Sequence, residues 1–191
     1  MQNEIIDFLK SSDHLAAYLS GYNIPLDRWG KDGKKSVGEL YEELKGGDCV
    51  LTIENGVVRC TWPLFIDVIY TDQGINYKCV ETQNKKGKRR NLPGTYAEKR
   101  LAGENIQTSI ARTFREEILP SLPKSGISLN NHSLTRGNQW EEITEAHSYP
   151  GLKNKSLNTL FSLIPLPNQG TPKDFTLVES NGTSQFSWIQ V

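Results

Sequence analysis

The hydrophobic period of the chain changes once, near Asp48, and that change constrains the fold class more than any other feature. Ahead of it, apolar residues recur at helical spacing. Ile5, Ile6, Phe8 and Leu9 give one face, and Leu15, Ala16, Tyr18 and Leu19 another, closed by Gly21. Asn23-Ile24-Pro25 and Trp29–Gly33 predict a loop. Ser36-Val37-Gly38-Glu39 is a capping-box pattern, in which the Ser hydroxyl accepts from the Glu39 backbone and the Glu39 carboxylate reaches back. Val37, Leu40, Tyr41 and Leu44 continue that helix to Gly46-Gly47.

Beyond Asp48 the spacing becomes strand-like. Residues 49–53 and 57–61 flank the hairpin signal Glu54-Asn55-Gly56. Residues 64–70 begin a new strand after Pro63. Thr71–Gly74 is a turn, and 75–82 the next strand. Residues 85–100 are basic and loop-like, and 103–119 helical, ended by Pro120 and Pro123. Ile127–Leu129 with Leu134 predicts a strand, and 138–147 either a strand or a short helix. Tyr149-Pro150-Gly151 is a turn. Residues 160–166, 174–179 and 186–191 are strands, the last two joined around Asn181-Gly182. Helices, strands, one helix, then more strands define an α+β domain with a mixed or antiparallel sheet.

Composition narrows the function classes. A chain of 191 residues suits one domain with a terminal extension. Lys+Arg and Asp+Glu are 22 each, and zero net charge argues against a nucleic-acid coat or a polybasic membrane binder. No apolar run is long enough to span a bilayer. Met1–Asp7 lacks the basic start and cleavage site of a secretory signal. Cys49, Cys60 and Cys79 are odd in number and lack Cys-x-x-Cys spacing, so they read as small core residues of a reducing compartment, which predicts a cytoplasmic protein. His14, His132 and His147 are scattered and define no metal set or catalytic dyad. Trp62, Trp140, Trp188 and Tyr149 are available to stack on a base, with core or rim packing as the plainer role.

Chemistry concentrates between Glu98 and Ile118. Ile106, Ile110, Phe114 and Ile118, spaced by four, give the packing side of a helix, and Thr113, Glu116 and Glu117 the opposite side. Adjacent carboxylates repel unless a cation, a basic partner or solvent relieves them. Glu104, then seven residues, Arg112, Phe114, Glu116 and Glu117 fall in register with the Nudix box: Gly, five residues, Glu, seven residues, Arg-Glu-bulky-any-Glu-Glu-any-Gly-bulky. Four positions depart from it. Glu98 stands at the leading Gly, Thr113 at the Glu after the Arg, Leu119 at the late Gly and Pro120 at the last bulky residue.

The window thus resembles the Nudix superfamily with a degenerate box. The resemblance implies an α/β/α sandwich around a mixed sheet over residues 47–191, with a helical extension over 1–46. It implies a Mg²⁺- or Mn²⁺-dependent hydrolase of a diphosphate-containing, nucleotide-type small molecule. Glu104, Glu116 and Glu117 would hold the metal, and Arg112 would pin the loop. Glu145 would supply a further carboxylate or the general base. Lys88, Arg89, Arg90 and Arg100 would meet phosphate at the cleft mouth, although a solvated hairpin explains the basic tract as well. Thr113 puts a neutral hydroxyl where the pattern has an anion. An inactive Nudix-fold ligand-binding or regulatory protein is therefore the competing expectation, and metal-free chemistry in the same cleft a third. The N-terminal helices have three open roles: capping the fold, closing one side of the cleft, or pairing two copies into a homodimer.

Overall fold

A computed structural model of the chain describes residues 9–85, 88–91, 94–165, 172–179 and 182–191. The expected apolar positions Ile5, Ile6 and Phe8, the centre of the basic tract at Lys86 and Gly87, the strand end at Leu166, and Asn181 lie outside the described residues. The rest is an α+β chain with one large sheet and a few helices.

The two N-terminal helices form where the sequence signals them. In α1 (Ser12–Gly21) the Ser11 side chain accepts from His14 N–H, and Leu15 and Leu19 are buried. In α2 (Val37–Gly46) both halves of the capping box are present: Glu39 N–H donates to Ser36 Oγ, and Ser36 N–H to Glu39 Oε2. Gly47, at φ +76°, closes α2 in the left-handed conformation.

Nine strands follow among the described residues: β1 (Val50–Ile53), β2 (Val57–Asp72), β3 (Ile75–Lys85), β4 (Lys88–Asn91), β5 (Tyr96–Arg100), β6 (His132–Glu145), β7 (Lys153–Pro165), β8 (Phe175–Glu179) and β9 (Gly182–Gln190). Pairing runs β6-β7-β2-β3-β9-β8, with β1 and β5 also on β2, and β4 on β3. The β1–β2, β2–β3, β3–β4, β3–β9 and β8–β9 ladders are antiparallel.

Several expected boundaries move. β2 runs through Pro63, which lies between the stretch paired to β1 (Val57–Cys60) and the one paired to β3 (Val68–Asp72). Much of the basic loop is strand, as β4 and β5. Residues 127–129 are not strand; β6 begins at His132. The helix after Gly103 does not stop at Pro120. α3 (Ile106–Thr113) widens into a π-helical turn over Phe114–Ile118, and a short α4 (Leu119–Ser121) and a 3-10 turn (Leu122–Ser125) follow. Proline has no N–H and clashes with the carbonyl four residues earlier; a π turn bonds one residue further and relieves both demands. Leu119 N–H accordingly donates to the Phe114 carbonyl, and Ser121 Oγ to that of Glu117.

The chain divides into two compact units. The first comprises Met1–Pro63, Lys99–Asn105 and Trp140–Asn158. Its core joins Leu15, Leu19, Trp29, Leu40, Leu44, Cys49, Tyr149 and Leu152. The second comprises Leu64–Glu98, Ile106–Gln139 and Thr159–Val191. Its core holds Leu64, Ile66, Val68, Tyr70, Cys79, Ile118, Leu122 and Phe186, with Ile106, Ile110 and Phe114 packed against it. Cys49 and Cys79 are buried, Cys60 is half-buried, and all three are free thiols. No described helix is long and apolar enough to cross a membrane.

In the first unit, the 145–152 turn is cross-tied to the loop ahead of α2. Trp29 Nε1 donates to Pro150 O at 2.9 Å, Lys34 Nζ to His147 O at 2.9 Å, and Lys35 N–H to Ser148 O at 3.0 Å. Gly151 has φ +80°, and a Cβ there would sit 2.3 Å from Pro25 Cδ. Gly151→Ala is expected to lower stability by at least about 2 kcal/mol in urea unfolding, since left-handed backbone alone disfavours a side chain by about 1–2 kcal/mol. Gly21→Ala, with open space and ordinary φ, is expected to unfold at or above the parental midpoint.

Candidate functional site

The ion pair of Arg112 with Glu98 ties α3 to β5 in the second unit. Glu98 stands on β5 where the Nudix pattern has glycine, and its Oε1 lies 2.7 Å from Arg112 Nη1. The arginine expected to pin the loop is thus tied to a strand. Thr113 departs from its expected position. It is fully buried, and its hydroxyl donates to Ser109 O at 2.8 Å. The reading that set Thr113 on one face with Glu116 and Glu117 is corrected. The π turn begins at Phe114, so regular three- and four-residue spacing does not carry across it. Glu116 and Glu117 remain exposed, with Glu116 Oε1 2.8 Å from Arg115 Nη2.

Glu104 belongs to the first unit and organises a local turn. Leu101 N–H donates to Glu104 Oε2 at 2.9 Å, and Arg100 Nη2 to the Glu104 carbonyl at 3.1 Å. The substrate-binding expectation for Arg100 therefore meets a side chain already bonded to this turn. Lys88, Arg89 and Arg90 form β4 against β3; their side chains lie outside the described residues.

These positions bear on the expected metal. Mg²⁺ takes oxygen ligands and keeps several waters, so two or three converging carboxylates would suit it. Among the described residues no three Asp, Glu, His or Cys side chains come together as a ligand group. Thr113 directs its hydroxyl into the preceding helical turn, and each of Glu104 and Glu116 has an oxygen on a protein donor. The donor set described does not fit a three-carboxylate cage.

Glu145 does stand at a cavity. A hollow of about 200 Å³ in the first unit is lined by Arg28, Lys34, Glu145, Ala146, His147 and Pro150. A second of about 190 Å³ shares Arg28, Lys34 and Pro150 and adds Asp27, Lys31 and Asp32. Glu145 Oε1 accepts Gly151 N–H at 2.8 Å, and Lys34 is oriented by the His147 carbonyl. The cross-tied loops preorganise these walls.

The strongest electrostatic feature is one the sequence reading passed over. Glu43, on α2, is 7% exposed. Its Oε1 lies 2.5 Å from Lys35 Nζ and 3.9 Å from Lys99 Nζ, and its Oε2 lies 2.8 Å from Arg59 Nη2. Cys49 Sγ donates to Oε2 at 3.9 Å. Arg59 also donates to Asn154 Oδ1 at 2.7 Å and lies over the Tyr149 ring at 5.6 Å. Burial alone would raise the Glu43 pKa, but the bonds and charges of Lys35, Arg59 and Lys99 outweigh it and hold the carboxyl below its ordinary 4.5. Burial pushes the Cys49 thiol up to about 11, which favours its protonated form over the nucleophilic thiolate. A signal for Glu43 existed: it follows Leu40 by three and sits on the flank of the apolar stripe.

Neither a protein-family model nor a curated protein matches this chain.

A depressed folded-state pKa means the unfolded chain binds the proton more tightly. The stabilisation from Glu43 is full above pH 4.5 and is lost as pH falls through the lower folded value. Urea unfolding across that acid range is expected to show a steeper loss for the parent than for Glu43→Gln. At neutral pH, Glu43→Gln is expected to be about 3 kcal/mol less stable, because Arg59 is left buried without its carboxylate.

Proposed function

We propose that this chain is a ligand-binding protein with a Nudix-type box, which takes a phosphate-bearing small molecule without metal-dependent turnover. The observation that carries this reading is Thr113. The position that supplies a carboxylate in the box is a buried hydroxyl bonded to Ser109 O. Losing one anion from a hard-oxygen cage weakens Mg²⁺ binding. A buried hydroxyl cannot carry a bridging water in its place. Arg112 keeps a structural task through Glu98, so retention of the box's arginine needs no catalytic reason.

The paired cavities of the first unit support a phosphate ligand. Arg28 has no ion-pair partner among the described residues and presents a guanidinium fork, a match for phosphoryl oxygens. Lys34 adds an ammonium with donors beyond the one spent on His147 O. Glu145 is held to accept a ligand hydroxyl. A second reading, hydrolysis of a diphosphate-containing molecule with Mg²⁺ or Mn²⁺, is favoured by the adjacent exposed oxygens of Glu116 and Glu117.

Calorimetric titration of the full chain with ADP and with inorganic pyrophosphate, with and without Mg²⁺ or Mn²⁺, separates the readings. The expected result is binding without release of orthophosphate or another phosphate product. Arg28→Ala with Lys34→Ala should weaken binding at least about tenfold, the scale of one lost charge-assisted bond. Metal-dependent product release that Glu117→Gln abolishes would establish the hydrolase. Absence of binding to both compounds would overturn the phosphate assignment.

A further inference from the structure

The core-facing side of the β3–β9 ladder, within the second unit, carries polar groups that its apolar surroundings leave unexplained. Register sets Cys79 opposite Trp188, Glu81 opposite Phe186, and Gln83 opposite Ser184. Alternation puts all six on one face of the sheet. Cys79 and Phe186 belong to the apolar cluster of that unit. Trp188 packs against the cluster, as does Leu177, which stands opposite Ser184 on β8. Yet Glu81 is 6% exposed, and Ser184 is fully buried.

Both buried groups are short of partners. Glu81 Oε1 accepts from Gln83 Nε2 at 3.1 Å, and the carboxylate has no ion pair among the described residues. Ser184 Oγ has no hydrogen-bond partner among the described residues. Gln83 spends an amide N–H on Glu81, and its carbonyl oxygen remains an acceptor. A buried charge is costly unless it is paired or held on a cation. A buried hydroxyl without a bond adds a further cost. Directly opposed side chains have Cβ atoms about 5 Å apart, and same-face neighbours on one strand are about 7 Å apart. The oxygens of Glu81, Gln83 and Ser184 can therefore reach one centre.

We infer that Glu81, Gln83 and Ser184 hold a small monovalent cation inside the second unit. The set offers a carboxylate, an amide carbonyl and a hydroxyl, all hard oxygen donors, with a single negative charge. A monovalent ion makes that interior neutral. A divalent ion would leave an uncompensated charge among apolar side chains. Soft metals find no thiolate: burial, with the charges of Asp174 and Glu81, pushes the neighbouring Cys79 thiol up to about 12. Trp188 Nε1 is also unpartnered, but it is a donor only and stands beyond Phe186 from Ser184, outside the set. This site is independent of the phosphate reading of the first unit.

Thermal unfolding of the full chain in potassium, sodium, lithium and choline chlorides at equal ionic strength tests the site. At least one metal ion is expected to raise Tm by about 3 °C or more over choline, with a saturable dependence on concentration. Glu81→Gln keeps the shape, removes the charge and should lose that ion-specific rise. Ser184→Ala removes a hydroxyl with no protein partner. Its midpoint in choline chloride should equal or exceed that of the parent, while the half-saturating ion concentration rises at least about tenfold. Arg90 stands opposite Gln83 on β4, and Arg90→Gln checks whether the chain itself supplies the positive charge. Equal midpoints in all four chlorides would overturn the inference. So would an ion-specific rise that both Glu81→Gln and Ser184→Ala retain, or one that appears only in Arg90→Gln.

Discussion

The carboxylate of Glu43 is the constraint on which the first unit depends. It draws Lys35, Arg59 and Lys99 from three separate segments of the chain onto one helix side chain. Arg59 extends the network to Asn154 and to the face of Tyr149, which packs against Trp29 at 4.9 Å. Trp29 in turn holds Pro150. The turn that presents Glu145 and His147 is therefore anchored in the core that surrounds the ion cluster. Buried charge is expensive to desolvate, and an arrangement of this kind survives only when every member is well partnered. That makes the cluster a device for fixing one loop arrangement more than a net source of stability.

In the second unit the corresponding organiser is the widened turn after α3. Pro120 cannot complete an ordinary helical ladder, and Ser121 Oγ supplies a donor to the Glu117 carbonyl. The turn also separates the environment of Thr113 from that of Glu116 and Glu117. One residue at one position, Pro120, accompanies the π turn that sets Thr113 apart from Glu116 and Glu117.

Local chemistry was legible in the sequence. The capping box at Ser36 and Glu39, the hairpin at Asn55-Gly56, the left-handed close at Gly47 and the turn at Gly151 follow from short-range rules that tertiary packing did not override. The packing residues of α3 and the π turn, Ile106, Ile110, Phe114 and Ile118, were also readable from their spacing. What could not be read depended on partners distant in sequence. Glu43 looks like a solvated helix residue until Arg59 is brought beside it. Glu98 looks like a simple departure from the motif until its bond to Arg112 is seen. Thr113 was misplaced because helical spacing was carried through a π turn that a 3.6-residue period cannot anticipate. The basic tract was read as loop because charge suggests exposure, whereas Lys88–Asn91 pairs as a strand through its backbone.

The central proposal is that the segment from Glu98 to Pro120 acts as a structural element and does not gather a divalent ion. Paramagnetic resonance titration with Mn²⁺ addresses it directly, by counting ions held by the full chain and by Glu117→Gln. The account predicts only weak, non-saturating association that is the same in both proteins. A single tight ion in the parent that disappears in Glu117→Gln would contradict it.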